Sequence, residues 1–555
     1  MTEAPGITPR QPRQTNKNLW VVFVSATAVS CVLQLWWFAR TCFNEIDFDG
    51  MAYVGIARHI RQGQFRASIS AFRSPLISWL IAAVPFSHGD FLHIGKLVNM
   101  GSFLLTCGLL YVLTAKLWHS RLAASLAAFL FALGRGLAAA SVESVVPDFL
   151  FAALTLVYFL LLLRALRRDR VEDWFIVGSV HALAYLCKAF ALPWLAVCTV
   201  SALAISGKPW KTRVARLSAA AIMPVVIAAS WAAVIHSKYG VFTTGSQFKT
   251  NLLQSTLHAY KAHHDPGYAL LRDTSRDFDQ YTVGDPMPPG SWPWSYHVGI
   301  RQLLPNIVAA EERNVPQVIK EMLIVATPGG ILAFVLALAV LARNRHGHPL
   351  ERQFAAIVAV AAVSLVLAYC MLVFDSRYLY PLIPLLLAIA AGFLAGESAF
   401  DHRLWRRICL ALVVAGVVIS LTYRSSPFRA LTRDFQASCY EAANRLKTHG
   451  SVRLVSLGEG PFPEHGVGWE AGYKTAFFAG SRIVGTMDAL PDSAQLSSVM
   501  LDVERMSPDA ILVWGKPDEP RRASLIQDLV HLHQPSSIEN IVDPGLGEVG
   551  VVMFR

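Results

Sequence analysis

The sequence predicts a polytopic α-helical membrane protein of about eleven transmembrane helices, with a small α/β domain at its C-terminal end. Three observations predict it. The 555 residues are 54% hydrophobic and only 16% charged, with a mean hydropathy of +0.42, whereas soluble globular chains are about 25% charged. Apolar runs near the ~20 residues that a bilayer core requires recur from Leu19 to Tyr423. After Arg424 short apolar strands alternate with helical stretches instead. A multidomain soluble enzyme, a disordered chain and a disulfide-stapled secreted scaffold are thereby excluded.

The first run, Leu19–Phe38, is uncharged and ends at Arg40. It is too long for a signal-peptide core and no small-x-small cleavage site follows, so it reads as a retained helix. Further runs follow at Leu97–Ala115, Leu122–Val142 (interrupted by Arg135), Phe149–Leu163 and Trp174–Cys187. Then come Ala189–Gly207, Leu217–Ile235, Met322–Ala342, Phe354–Phe374, Tyr378–Gly396 and Ile408–Tyr423. The fifth and sixth runs meet at Lys188 and are a candidate re-entrant pair.

Lys and Arg concentrate in every second connection. Arg10, Arg13 and Lys17 come first, then Lys116 and Arg121, then Arg164, Arg167, Arg168 and Arg170. Lys208, Lys211, Arg213 and Arg216 follow, then Arg343, Arg345 and Arg352, then Arg403, Arg406 and Arg407. The positive-inside rule makes the N-terminus cytoplasmic and the C-terminal part extracytoplasmic, as in a protein of a plasma or inner membrane. The net charge of +11 is then a topology signal, and no nucleic-acid partner is expected. The expected layout is a cytoplasmic tail over 1–18 and a transmembrane module over 19–424. Outer loops lie at 40–96 and 236–321, and the extracytoplasmic α/β domain covers 425–555. Of eight cysteines only Cys42 and Cys439 read as external, so at most one structural disulfide is expected.

In the C-terminal domain, strands are expected at Arg453–Leu457, Ala510–Trp514 and Val549–Phe554, and helices near Phe435–Lys447, Gly468–Phe478 and Arg521–Leu532. No nucleotide-binding glycine pattern is present, and Gly458-Glu459-Gly460 is a common kind of loop. A structural or acceptor-contacting domain is the reading. In the second outer loop, His258, His263, His264 and Asp265 match neither HExxH nor a zinc-finger spacing. They read as part of a Pro-rich loop lying over a substrate.

The first outer loop is the informative one. Glu45, Asp47 and Asp49 alternate with other residues just beyond the first helix, and Gly50–Ile60 has a helical apolar pattern with Asp49 placed as its N-cap. Capping does not account for three carboxylates at a membrane surface. Lys96, Glu143, Asp148, Lys188 and Asp375-Ser376-Arg377-Tyr378 fall at helix ends on the same side, and Arg135 lies inside the third run about two turns short of its outer end. An ionisable group at membrane depth costs about 2.5–3.5 kcal/mol on insertion scales and usually serves function. Singly each reads as a snorkelling or structurally paired side chain. Together they suit a carboxylate base acting on an acceptor hydroxyl, with cations holding a phosphate leaving group.

These residues resemble the GT-C glycosyltransferases, in the branch of protein O-mannosyltransferases, the lipid A aminoarabinose transferase and rhizobial galacturonosyltransferases. The family's loop pattern is an Asp-Glu pair, then Tyr, Ala, Gly and a Pro-Leu/Ile dipeptide. Here it reads Asp49-Gly50, Tyr53, Ala57, Gly63 and Pro75-Leu76. Later landmarks are Ala184-Tyr185-Leu186-Cys187-Lys188, Ser230-Trp231 leading to Tyr239-Gly240, and Arg377-Tyr378 with Pro381 and Pro384. Gly50 departs from the family's second acid, and Asp47 is the candidate to replace it. The base is therefore Asp49 or Asp47, with Asp49 favoured by its spacing to Tyr53.

The resemblance implies an inverting transfer from a polyprenyl-phosphate sugar to a hydroxyl of a lipid, glycan or protein acceptor in the cell envelope. It suggests Arg73, Lys188 and Arg377, with Arg135 and Lys96 behind them, as the donor-phosphate cations. Glu143, Asp148 and Glu45 are candidates for positioning the acceptor or holding a divalent cation, and Tyr53 and Tyr378 for lining the substrate. Members differ in metal use, so no cofactor is assigned. A secondary transporter or lipid-linked-sugar flippase is the alternative. A transporter predicts paired repeats with broken helices at matching positions, which the sequence does not display.

Overall fold

The computed structural model describes residues 19–42, 45–85, 90–134, 136–256, 300–325, 328–343, 349–372 and 375–395, with short stretches from 404 to 415 and most of 439–554. Five helices in it are long and apolar enough to cross a membrane: α1 (Leu19–Cys42), α5 (Phe91–Trp118), α8 (Asp148–Arg168), α11 (Trp210–Tyr239) and Pro349–Cys370. Shorter apolar helices are α10 (Ala191–Ile205), Gly329–Ala342 and Ile383–Leu394. Every apolar run expected from the sequence corresponds to helix except Ile408–Tyr423, most of which lies outside the described residues. The third run is not one straight helix. It is α6 (Arg121–Ala132) and α7 (Leu137–Glu143), bent by 53°, because Gly134 and Gly136 flank the break and Gly136 takes φ +75°. The protein is a polytopic α-helical membrane protein with a small α/β part.

Small residues and satisfied polar atoms hold the bundle together, as an apolar solvent demands. A Cβ at Gly178 on α9 (Val171–Cys187) would fall 2.2 Å from the Ala220 carbonyl oxygen, so α9 and α11 meet backbone to backbone. The Trp118 indole donates to Ala388 O at 2.8 Å, and Gly392 leaves room for its ring. Trp194 likewise donates to Ala361 O at 2.9 Å.

Between α1 and α5 lie α2 (Phe48–Arg61), α3 (Phe65–Ser68) and α4 (Leu76–Ala83). The N-cap of α2 is Asp47, two residues earlier than the expected Asp49. Its side chain accepts from Gly50 N at 3.1 Å, which leaves Asp49 in the first turn with a free hand for other partners.

The C-terminal sheet has order β2-β1-β3-β5-β4. Its strands are β1 (Arg453–Leu457), β2 (Arg482–Met487), β3 (Ala510–Gly515), β4 (Ser537–Asp543) and β5 (Gly547–Met553). β1 runs parallel to β2 and β3, while β5 is antiparallel to β3 and β4. β2 and β4 were not among the expected strands. Val455, Ile511, Val513 and Val552 pack on one face with Leu525 and Leu529. Leu454, Leu512 and Val551 on the other join Phe477 in the apolar cluster continuous with the membrane helices.

Candidate active site

Asp49 is where the first loop, the α3–α4 connection and the turn before helix Ile383–Leu394 converge. Its Oδ1 lies 2.5 Å from Arg73 Nη2 and its Oδ2 2.5 Å from Arg377 Nη2. Each carboxylate oxygen therefore holds a different guanidinium.

Both arginines are set by local structure. Ser70 Oγ accepts from the Phe72 and Arg73 amides at 3.2 and 2.8 Å, fixing the turn that presents Arg73. The Arg73 side chain is 6% exposed, and its guanidinium carbon sits 4.5 Å from the Phe72 ring centroid and 5.7 Å from that of Tyr53. Arg377 lies in the 3₁₀ turn Ser376–Leu379, capped by Asp375. Its Nε is 2.8 Å from Asp375 Oδ2, out of line for a hydrogen bond, and its Nη1 is 3.5 Å from Asp47 Oδ2.

The electrostatics of the two acids diverge. Burial opposes charge on Asp49, yet Arg73 and Arg377 outweigh it and hold the carboxyl well below the usual carboxylate range. Burial and the neighbouring Asp49 charge push Asp47 up, against the pull of Arg377 and Lys96. Gly50, which follows Asp49, has no room for a side chain. A Cβ there would lie 2.6 Å from Asp47 Oδ1, 3.1 Å from Ile46 Cγ1 and 3.2 Å from Val145 N. The space of a side chain at position 50 is thus taken by the Asp47 carboxylate.

Beside this cluster Lys188, at the end of α9, pairs with Asp148 at the start of α8, and both are buried. The Lys188 ammonium is 4.5 Å from the Tyr378 ring centroid, and Tyr378 stacks on Tyr369 at 4.4 Å. Ala189 N donates to Ser74 Oγ at 3.0 Å, tying this pair to the Arg73 turn.

Comparison with known proteins places this geometry in a fold. Residues 73–231 match the family model described as dolichyl-phosphate-mannose-protein mannosyltransferase. The chain superimposes on ArnT from Cupriavidus metallidurans bound to undecaprenyl phosphate with a TM-score of 0.53 and 13% identity, over 97% of this chain and 98% of that one. The apo state of the same protein gives 0.53 and 14%, over 96% and 97%. The chain has the GT-C fold. The Archaeoglobus fulgidus oligosaccharyltransferase in its apo form agrees, at TM-score 0.51 and 12% identity over 90% of this chain and 70% of that one. No match is found among curated protein sequences.

Within this GT-C fold the expected site residues separate into groups. Asp47, Asp49, Arg73 and Arg377 form one cluster, with Tyr53 buried beside Arg73. Lys188, Asp148 and Tyr378 adjoin it. Lys96 stands apart: 0% exposed, its Nζ donates to Val142 O at 2.5 Å, Glu143 O at 2.7 Å and Cys42 O at 3.4 Å. It closes the carbonyl ends of α1 and α7. Glu45, Glu143 and Cys42 bring three ligand-type atoms within 4.8 Å of one another, a mixed thiol and carboxylate set closer to zinc's preferences than to magnesium's. Arg135, His258, His263, His264, Asp265, Glu459 and Gly460 lie outside the described residues.

The sequence reading missed two contributors. Tyr369 is an ordinary residue of an apolar run until its ring is seen against Tyr378. Helix Gly468–Ala479 reaches α2: Tyr473 meets Phe48 edge-on with centroids 5.5 Å apart, and the Arg58 guanidinium covers Phe477 at 4.3 Å. No local pattern in the C-terminal domain announces either contact.

Proposed function

We propose that this protein transfers a sugar from a polyprenyl-phosphate donor to an acceptor hydroxyl at the extracytoplasmic face of the plasma or inner membrane, with inversion. The observation that carries the reading is the Asp49 carboxylate set between the Arg73 and Arg377 guanidiniums at 2.5 Å each, at the end of a GT-C helix bundle. The ArnT structure bound to undecaprenyl phosphate supports a lipid phosphate as the ligand of such a bundle. The alternation of basic connections supports the assignment of this end of the bundle to the extracytoplasmic side.

In the proposed step the acceptor oxygen attacks the anomeric carbon and gives its proton to Asp49. The bond between that carbon and the phosphate oxygen breaks, and the pair of electrons leaves with the polyprenyl phosphate. Arg73 and Arg377 neutralise the gathering negative charge. Lys188, already held by Asp148, contributes to the same field from beside Tyr378. Lys96 is left out of the phosphate set, because its protons are spent on carbonyls. A divalent ion on Glu45, Glu143 and Cys42 would lie with the acceptor-positioning acids, and no step above passes through it.

Purified protein in nanodiscs, given a panel of radiolabelled polyprenyl-phosphate sugars and candidate acceptors, is expected to release lipid phosphate. Asp49→Asn, compared as folded protein, should release none. Release by the variant at the wild-type rate would remove Asp49 as the base.

A further inference from the structure

In the geometry above the proposed base is spoken for. Each Asp49 oxygen holds a guanidinium at 2.5 Å, and a carboxylate so neutralised is a weak proton acceptor. The same two guanidiniums are the cations best able to take a phosphate, since Lys188 is held by Asp148 and Lys96 by three carbonyls. Base and phosphate site cannot both work in this arrangement.

Resting on the transferase reading, we propose that the donor's phosphate takes Arg73 and Arg377 over from Asp49, so that the base is uncovered only in the donor-loaded protein. Asp49 then serves as a stand-in anion that neutralises buried Arg73 and half-buried Arg377 until the donor arrives.

Three features favour this exchange. Neither guanidinium depends on Asp49 for its position. Arg73 stacks on Phe72 at 4.5 Å, and Arg377 keeps Asp375 at 2.8 Å and Asp47 at 3.5 Å. Arg73 Nε is buried without a hydrogen-bond partner, so this fork still has a proton to offer an anion with more oxygens than a carboxylate. The donor's phosphodiester carries one negative charge and the departing lipid phosphate up to two, so the hold of the arginines tightens along the reaction, as catalysis requires. Once released, Asp49 loses the two charges that hold its carboxyl low, while the burial that raises it persists.

The experiment is binding of undecaprenyl phosphate, the expected product, to full-length protein in nanodiscs. Wild type is compared with Asp49→Asn, Arg73→Gln and Arg377→Gln. Asp49→Asn is expected to bind about tenfold more tightly than wild type, within the usual range of site-to-site coupling, and each arginine variant to bind more weakly. Weaker arginine variants with Asp49→Asn unchanged or weakened would overturn the exchange and leave the phosphate site standing. Arginine variants that bind like wild type would remove the phosphate site itself. Asp49→Asn leaves Arg73 and Arg377 without their shared anion, so thermal unfolding is followed alongside. The lipid phosphate should raise the midpoint of the variant more than that of wild type, and an equal or smaller rise counts against the exchange. Asp49→Ser repeats the comparison if the Asn variant does not fold.

Discussion

Phe48 and Tyr473 meet edge to face, their ring centroids 5.5 Å apart at 83°. Phe48 precedes Asp49 in the chain and Tyr473 belongs to the helix between β1 and β2, so the C-terminal domain touches the turn that presents the proposed base. Aromatic pairs of this kind contribute about 0.5–1.5 kcal/mol beyond their area. Tyr473→Ala is expected to lower turnover several-fold with little change in donor KM, and Tyr473→Phe to keep it. Steady-state kinetics on the three proteins check this; equal rates would make the contact purely structural.

Gly50→Ala should destabilise the protein, although an alanine in a helix ordinarily stabilises by about 0.4–1 kcal/mol. The added methyl meets Asp47 Oδ1 at 2.6 Å and Val145 N at 3.2 Å, an overpacking that typically costs about 1–3 kcal/mol. The expected result is a lower unfolding midpoint together with lower activity, because the displaced group is the cap of α2.

Lys188 and Asp148 form a buried pair, and removing one partner of such a pair costs about 3–5 kcal/mol. Lys188→Met and Asp148→Leu should each lower the unfolding midpoint, and the double variant should recover much of the loss. Activity should not return with it if Lys188 adds to the field on the donor phosphate. Lys96→Met is the counterpart. It strands carbonyls worth about 1–3 kcal/mol each, so it should lower stability while leaving undecaprenyl phosphate affinity near wild type in protein that remains folded.

The raised Asp47 carboxyl gives a pH dependence with a definite sign. Between the ordinary aspartate value and the raised one, the folded state binds the proton more tightly than the unfolded chain. Stability from this group is present below that window and falls as pH rises through it. Asp47→Asn retains an oxygen for Gly50 N and lacks this term. Its unfolding midpoint should therefore gain on wild type as pH climbs through the window, the gap levelling off above it. A gap that narrows with rising pH would contradict the assignment.

The bundle was legible because a bilayer imposes length and hydropathy on each run, and α1, α5, α8 and α11 sit where those runs predicted. The interruption of the third run at Arg135 was visible too, although the bend beside it depends on backbone angles at Gly136 that hydropathy does not report. Asp49 and Arg377 were singled out by charge beside helix ends and Arg73 by the family resemblance, but their pairing rests on contacts across 24 and 328 residues, beyond any periodicity. The cap of α2 was misplaced by two residues, since Asp47 and Asp49 are equally good capping types and only the backbone distinguishes them. β2 and β4 escaped notice: Gly485 interrupts the apolar pattern of one, and polar Glu539 and Asn540 dilute the other.

The 328 residues between Asp49 and Arg377 also order events during biosynthesis. At about 5–20 residues per second, roughly 16 to 66 seconds separate the emergence of the two. For most of that interval Arg73 is the one guanidinium partner of Asp49 that has been synthesised. On the proposed mechanism, ribosomal stalling or termination before residue 377 would leave an inserted fragment with Asp49 and Arg73 but without the second guanidinium, so transfer would wait for synthesis past that residue.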